Sequence, residues 1–523
     1  MTTEFLGARI QLNPRPSART AATLEVGVLG HCPGRVRIER LLAMPATLTE
    51  IHQLGFGARL AALKRAAESV AVAQANSASS KEVELLRDNL DLAVAHLPIP
   101  LYSLAEFRDI FPLAASAATL YKSQLAGAKA WLPQAVADFF TNGGEKLWLV
   151  RIPEAEGVEG FLSTLPVSLL EVEALRGLAC LLPIEKLALI ILPDLERLQI
   201  PANLPDIRRK YLENPKPTFL PLGTLLDDGH RERRYSTEIF ADIPTQPLIS
   251  LLGRLLAAAR AQRPDIQFLL SLPLSYSASQ QSPAVDSLAL DSLELARTSV
   301  DAPGLRQVQM LFPYLKLDGQ LFSATGLIAG AIAANSAQRG IWRSVALQPL
   351  VSRAQLFPAL TMQEIIALRE SPGIGLLSQK AGKLKLDDER LMVPALHAGD
   401  YVPGVKSVRL ESMRSAEVVR FIGYLIRELR ELGENLIFNL DAQDPRPRLM
   451  LERFFLDLFR AGALRGSLPE QAFRISPASS AENVIAFDIE IAPAFPIDKI
   501  VITFVNRSGQ WFAGDNLTGG SNG

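Results

Sequence analysis

The sequence of 523 residues contains two cysteines, five histidines and no long apolar run, and each shortage closes off a class of protein. Cys32 and Cys180 could frame one disulfide at most, and neither has a neighbour at metal-ligand spacing. A disulfide-built secreted fold is therefore excluded, and folding in a reducing cytoplasm is expected. The longest apolar stretches, 187–192 and 326–334, fall well short of the ~20 residues that cross a bilayer. The opening residues, 1–7, lack a basic segment followed by an apolar one, so no secretory leader and no direct membrane insertion are expected. An excess of either charge is lacking too. Lys plus Arg number 54 and Asp plus Glu 55, a net charge of -1, so no global field draws in nucleic acid or anionic lipid. Low net charge also lowers one barrier to self-association.

Catalytic signatures are equally sparse. No two of His31, His52, His96, His230 and His397 stand at i,i+3 or i,i+4, so a metal site would need long-range assembly. Gly373-Ile374-Gly375 is a compact G-x-G, but Ser378 stands where a dinucleotide fingerprint needs its third glycine, so a tight turn is the better reading. A phosphate-loop pattern is missing, and the G-x-S-x-G of Gly519–Gly523 falls in the Gly-rich, polar segment 509–523 rather than between a predicted strand and a predicted helix, so a hydrolase reading has no anchor. Asp227-Asp228 and Asp387-Asp388 sit beside basic residues and read as solvated loops. The expectation is a protein that is not an enzyme, with no catalytic residue, cofactor or metal.

What is present is ordinary globular material, 48% hydrophobic and 21% charged, enough for two to four domains of roughly 100–200 residues. Residues 1–23 read as an extended arm, alternating over 8–12 and then barred from helix by Pro14 and Pro16. Strands are predicted at 24–29, 147–152, 187–192, 267–272 and 435–439, and a closing hairpin at 484–492 and 497–505. Residues 58–96 have helical composition, broken at the polar stretch 76–80, and predict a helical hairpin inserted between strands on the outside of the molecule. Residues 376–402 read as a surface excursion, and 506–523 as a frayed tail. Strands alternating with helices such as 247–262 suggest α/β layers.

Two helices near the C-terminus are amphipathic. One spans 415–432 and the other 447–464, the latter with Leu451, Phe454, Phe455 and Leu458 on its apolar face. Their polar faces are rich in arginine and glutamate. Either a solvated face or a charged docking stripe fits that pattern.

Three segments together resemble contractile sheath proteins of phage tails, pyocins and extracellular contractile injection systems. The first is a helix followed by Phe139-Phe140-Thr141-Asn142-Gly143-Gly144 and a strand closing on Val150-Arg151-Ile152. The second is the small-residue helix from Gly326 through Gly330, followed by Arg339-Gly340-Ile341-Trp342-Arg343; it is preceded by the aromatic stretch from Met310 through Leu315. Val345 stands where such proteins usually have proline. The third is the C-terminal pair of helices, with Phe454-Phe455 and Ala461-Gly462, and the closing strands with Ile491-Ala492-Pro493.

The resemblance implies a multi-domain α/β to α+β fold. It would divide as an arm (1–23), a first α/β region (24–152) carrying the 58–96 insertion, an outward-projecting middle domain (153–325), a sheath-like C-terminal domain (326–505) and a flexible tail (506–523). It implies a subunit that polymerises helically with copies of itself around an inner tube and contracts, with baseplate and cap proteins as further partners. A minor sheath-like baseplate or cap component is the alternative. Assembly in the cytoplasm as part of a tail-like particle would follow. The arms would lend strands to neighbours through Arg9, Ile10 and Leu12 at one end and Ile500, Ile502 and Phe504 at the other. The inner tube would meet Arg448, Glu452, Arg453 and Arg460.

Overall fold

The computed structural model describes residues 24–515 apart from 77–78, 164–166, 204–210, 213–233, 236–247, 276–283, 286–289, 292–304, 306, 371–372, 381, 393–413, 435–444, 478–485, 495–499 and 508–509. The arm with Arg9, Ile10 and Leu12 and the strand predicted at 435–439 lie outside these residues. The described residues divide into two compact units. The larger takes 25–334 and 344–423; the smaller takes Leu24, 335–343 and 424–515.

In the larger unit nine of the described strands form one sheet. They are β1 (Glu25–Gly30), β2 (Pro98–Leu101), β3 (Leu147–Arg151), β4 (Leu187–Ile191), β5 (Gln267–Ser271), β6 (Val308–Phe312), β7 (Pro349–Leu350), β8 (Ile374–Lys380) and β9 (Lys383–Leu386). Their order is β7-β9-β8-β6-β5-β4-β1-β3-β2. The inner six, from β3 to β8, run parallel; β2 pairs antiparallel to β3, and β9 to β8. The sequence dictates this. β1, β4, β5 and β6 are buried at every position, as strands covered on both faces by helices must be.

The expected boundaries at 152/153 and 325/326 both fall between strands of this one sheet. Parallel neighbours are joined by whole crossover segments, so strands adjacent in space look like separate regions in sequence. Residues 374–386 are likewise no surface excursion. They are β8 and β9, with Leu376, Leu377, Leu384 and Leu386 buried. Lys383 and Lys385 alternate with those leucines, and their charge masks a half-buried strand.

The insertion between β1 and β2 holds the expected hairpin, α1 (Gly57–Ala75) and α2 (Ser80–Ala93), with Ser79 capping α2 through the Glu82 amide. Its outer turns are exposed, but its root is core: Leu60, Leu63 and Val94 are buried. Arg59 donates to the carbonyls of His96 at 2.8 Å, Glu173 at 2.7 Å and Leu175 at 2.5 Å. The Glu173 carboxylate caps α1 by accepting from the Ala58 and Arg59 amides. Further along are α3 (Leu132–Thr141), α4 (Leu248–Gln262), α5 (Thr325–Arg339) and α6 (Ala416–Glu434).

The smaller unit holds α7 (Arg446–Arg460) and an antiparallel meander of β10 (Phe473–Pro477), β11 (Ala486–Ile491), β12 (Ile500–Arg507) and β13 (Gln510–Asp515). The expected hairpin forms, from Ala486 opposite Val505 to Ile491 opposite Ile500. Part of the expected frayed tail is instead strand β13, whose backbone completes the ladder of β12. Leu451, Phe455 and Leu458 seat α7, with the Phe455 and Phe473 rings 5.6 Å apart. Phe454 lies at the side of that face, half-buried, with its ring 6.5 Å from that of Tyr424.

Candidate functional site

In an open α/β sheet, ligands bind beyond the carboxyl ends of the strands where the order reverses. Here that place is beside β1, because the chain leaves β1 toward β3 on one side and β4 toward β5 on the other. The position is filled. Asp194, in the short helix Pro193–Arg197 after β4, accepts from the amides of His31 at 2.9 Å, Trp131 at 2.9 Å and Leu132 at 3.1 Å. Arg197 donates to the same carboxylate at 2.9 Å and to Thr119 Oγ1 and the Tyr121 carbonyl. Asp194, Glu196 and Arg197 have no exposed surface. A Cβ on Gly30 would stand 2.6 Å from Asp194 Oδ2, so the strand must end in glycine for the packing to close.

Glu196 lies near Ser271 and Ser323 with neither oxygen in a well-aligned hydrogen bond, and burial pushes its carboxyl up to about 8. A raised carboxyl at this spot is what an acid catalyst would need. It is walled in, however, and Asp194 has its lone pairs engaged by backbone and guanidinium.

Two of the histidines, His31 and His96, have structural partners, and His230 and His397 lie outside the described residues. His31 Nδ1 donates to the Ile152 carbonyl at 3.1 Å, and burial lowers the imidazole's pKa. His96 Nδ1 accepts the Gly177 amide, so its proton sits on Nε2, facing Glu156 at 2.9 Å. Of the expected solvated acids, Asp387 is instead in a network. Despite its burial, hydrogen bonds from Ser378 and Arg369 hold its carboxyl below the usual range.

Two of the sequence motifs meet in space. A Cβ on Gly326 would stand 2.3 Å from the Ala135 carbonyl oxygen, and one on Gly330 2.3 Å from that of Phe139. The G-x-x-x-G face of α5 is thus what lets it lie directly on the backbone of α3. The turn after α3 is used as well. Asn142 pairs both side-chain groups with the backbone of Val351, donating to its carbonyl at 3.1 Å and accepting its amide at 2.9 Å. Gly143 supplies the positive φ, +87°. Gly373 has φ +86° and opens β8, the tight turn expected there.

The sheet edges differ in kind. The outer strands of the large sheet carry Pro98 and Pro100 at one end and Pro349 at the other, and proline cannot donate to an added strand. In the smaller unit β13 is an edge among the described residues, and its sequence, QWFAGD, contains no proline. Ile500, Ile502 and Phe504 lie on β12, which is paired on both sides within the chain, and Ile502 and Phe504 are fully buried.

On α7 the four expected contact residues do not share one face. Arg448 pairs with Glu452 at 2.9 Å on the flank. Arg453 and Arg460 lie opposite the buried face, in line with Arg446 at seven-residue spacing. Leu449, 59% exposed, and half-buried Leu456 fall between them. This alternating Arg-Leu stripe was readable from the i, i+3, i+7 spacing behind Leu451, Phe455 and Leu458. Arg460 also meets Asp457 at 3.3 Å.

No protein-family model matches the sequence, and no curated protein does. Solved structures are similar. A chain of the anti-feeding prophage baseplate in its contracted state is 14% identical, over 95% of this chain and 96% of that one, with a TM-score of 0.51. A chain of the same prophage's contracted helical sheath is 13% identical over 95% and 97%, with a TM-score of 0.47. One from the contracted PVC sheath complex, an extracellular contractile injection system, is 11% identical over 76% and 83%, with a TM-score of 0.44. The first of these likenesses shows one fold shared along nearly the whole chain.

Proposed function

We propose that this chain is a structural subunit of a contractile sheath, which polymerises helically around an inner tube and contracts to drive the tube through a target envelope. The observation that carries the reading is the fold shared over 95% of the chain with a component of a contracted baseplate. The filled crevice beside β1 favours a structural role over catalysis.

In this reading the subunit meets copies of itself, the inner tube, and baseplate and cap proteins, and assembles in the cytoplasm into a tail-like particle. Subunits join by a heterologous contact that does not close, and so form a helix. Residues 8–12 of one copy, with Arg9, Ile10 and Leu12, add a strand to a neighbour. The acceptor is the smaller unit's sheet, because proline caps both edges of the larger one. Ile500, Ile502 and Phe504 contribute by holding that acceptor sheet together, since β12 is flanked on both sides by strands of its own chain. The stripe of Arg446, Arg453 and Arg460 faces the inner tube, with Arg448 and Glu452 at its margin.

Negative-stain micrographs of the purified protein test the reading. Long tubes are expected from the full chain, and soluble folded protein without long tubes after deletion of residues 1–20. Normal-length tubes from the truncation would refute strand donation. Discrete rings or monomers from the full chain would favour the second reading, a minor sheath-like baseplate or cap component.

A further inference from the structure

A buried histidine ties the root of the α1–α2 hairpin to residues 172–177. His96 follows α2 with φ +57°, a left-handed backbone that glycine and asparagine adopt far more readily. Four hydrogen bonds hold it there. Its amide donates to the Arg151 carbonyl at 3.0 Å, and its carbonyl accepts from Arg59 at 2.8 Å. Its ring accepts the Gly177 amide on Nδ1 at 3.0 Å and donates from Nε2 to Glu156 at 2.9 Å. Gly177 is fixed from behind. Its own φ is +55°, and a Cβ there would stand 2.3 Å from the Leu162 carbonyl oxygen.

The ring has room to leave. A cleft of about 540 Å³ opens beside it, with Ala62 and Leu92 in its wall. The charged groups on the cleft are Arg59 from α1, Glu156 from the turn after β3, and Glu173 and Arg176 from the facing segment. The other titratable neighbours turn elsewhere. Arg151 donates to the carbonyls of Cys32 and Asp91, the Asp91 carboxylate accepts the Val36 amide, and the Cys180 thiol donates to the Leu175 carbonyl.

We propose that His96 is an acid-released latch, which ties residues 172–177 to the hairpin root while Nδ1 is unprotonated and frees them when that nitrogen takes a proton. Nε2 already carries the proton of the neutral ring, so a second one goes to Nδ1, where it meets the hydrogen of the Gly177 amide. The bond that closed the latch becomes a contact between two donors. The new charge also joins two cations already present, Arg59 and Arg176, with Glu156 as its counter-ion. The imidazolium keeps Glu156 and swings off Gly177 into the cleft.

The environment gives the direction. Burial lowers the imidazole's pKa from an ordinary 6.5; Glu156 opposes this, and Arg176 and Arg59 add to it. A lowered value means that the latch is whole above about pH 6.5, weakens as pH falls below that, and is lost once pH passes the value of the closed state. This inference does not depend on the sheath reading.

Hydrogen–deuterium exchange on the full chain, kept dilute enough to remain unassembled, tests it. After correction for intrinsic rates, protection of residues 174–177 is expected to be level above about pH 6.5. Below it, protection should fall by up to about tenfold per pH unit, the limit for one proton, while strands β5 and β6 keep theirs. His96→Asn is the decisive variant. Its side-chain oxygen can accept the Gly177 amide, asparagine tolerates the left-handed backbone, and it does not ionise. In H96N the protection should be flat with pH, and in E156Q it should still fall. An equal fall in H96N, a parallel fall in β5 and β6, or an E156Q that stays fully protected in acid would overturn the assignment. The parent decides even if H96N is not recovered, because a flat profile between about pH 7.5 and pH 5 refutes the proposal outright.

Discussion

Glu196→Gln separates a structural crevice from an acid–base site. In the folded chain the Glu196 carboxyl is sealed in and neutral up to about pH 8, whereas in the unfolded chain it ionises near 4.5. Folding at pH 7 therefore requires proton uptake. Over the 2.5 pH units from 4.5 to 7, that costs about 3 kcal/mol, growing to about 5 kcal/mol above pH 8. The sign is that of a raised carboxyl: its stability is whole below pH 4.5 and is lost as pH climbs through 8. Glutamine has the same shape and never ionises, so it removes the whole penalty. E196Q should match the parent near pH 4.5 and exceed it by about 3 kcal/mol at pH 7. A residue unfavourable at the working pH but kept for chemistry would give the same stability gain, so the second readout is tube formation. In the structural reading E196Q still assembles. The assay is urea denaturation at pH 5, 6, 7 and 8, scored as the difference between the two proteins, in which the other buried acids cancel. Parallel pH profiles would refute the reasoning, because they would mean that water or a partner reaches the carboxylate in the native state.

Other substitutions probe the remaining claims. Gly330→Leu places a side chain where the Phe139 carbonyl oxygen lies 2.3 Å from the Cβ position, and should cost about 3 kcal/mol or abolish folding; an unchanged melting temperature would refute direct α5–α3 packing. Replacing residues 65–89 with a short Gly/Ser turn should leave a folded protein, whereas replacing 58–96 should not, because Arg59 and His96 belong to the core; soluble, folded protein from the longer replacement would overturn that. Reversing Arg446, Arg453 and Arg460 to Glu should weaken co-sedimentation with an inner tube protein without lowering the melting temperature. Raised salt should do the same to the parent, since exposed pairs are worth at most ~1 kcal/mol each and are screened. Undiminished binding at low salt would remove α7 from the contact.

What the sequence made legible was what repeats locally. The helix, glycine turn and strand from Leu132 to Arg151, the hairpin of α1 and α2, and the pairing of β11 with β12 all follow from spacing within a few residues. The path of the large sheet was not legible, because a parallel neighbour lies a crossover away and nothing local marks which strand it joins. Lys383 and Lys385 made the same point in miniature: alternation was present, but charge outweighed it. The buried polar groups were least legible of all. Asp194 and Glu389 resemble any surface acid in the sequence. Only the fold brings three amides and Arg197 to the first, and Arg420 and Val345 to the second. The motifs that carried the resemblance sit between these extremes. Gly326, Gly330 and Asn142 each read locally as a small residue or a turn, yet each is held to its identity by a backbone far away in the chain. Ala135, Phe139 and Val351 leave no room for another side chain or need its particular pair of hydrogen bonds. Such short patterns record long-range contacts, and for that reason their order along the chain could point to the fold before any one of them could be explained.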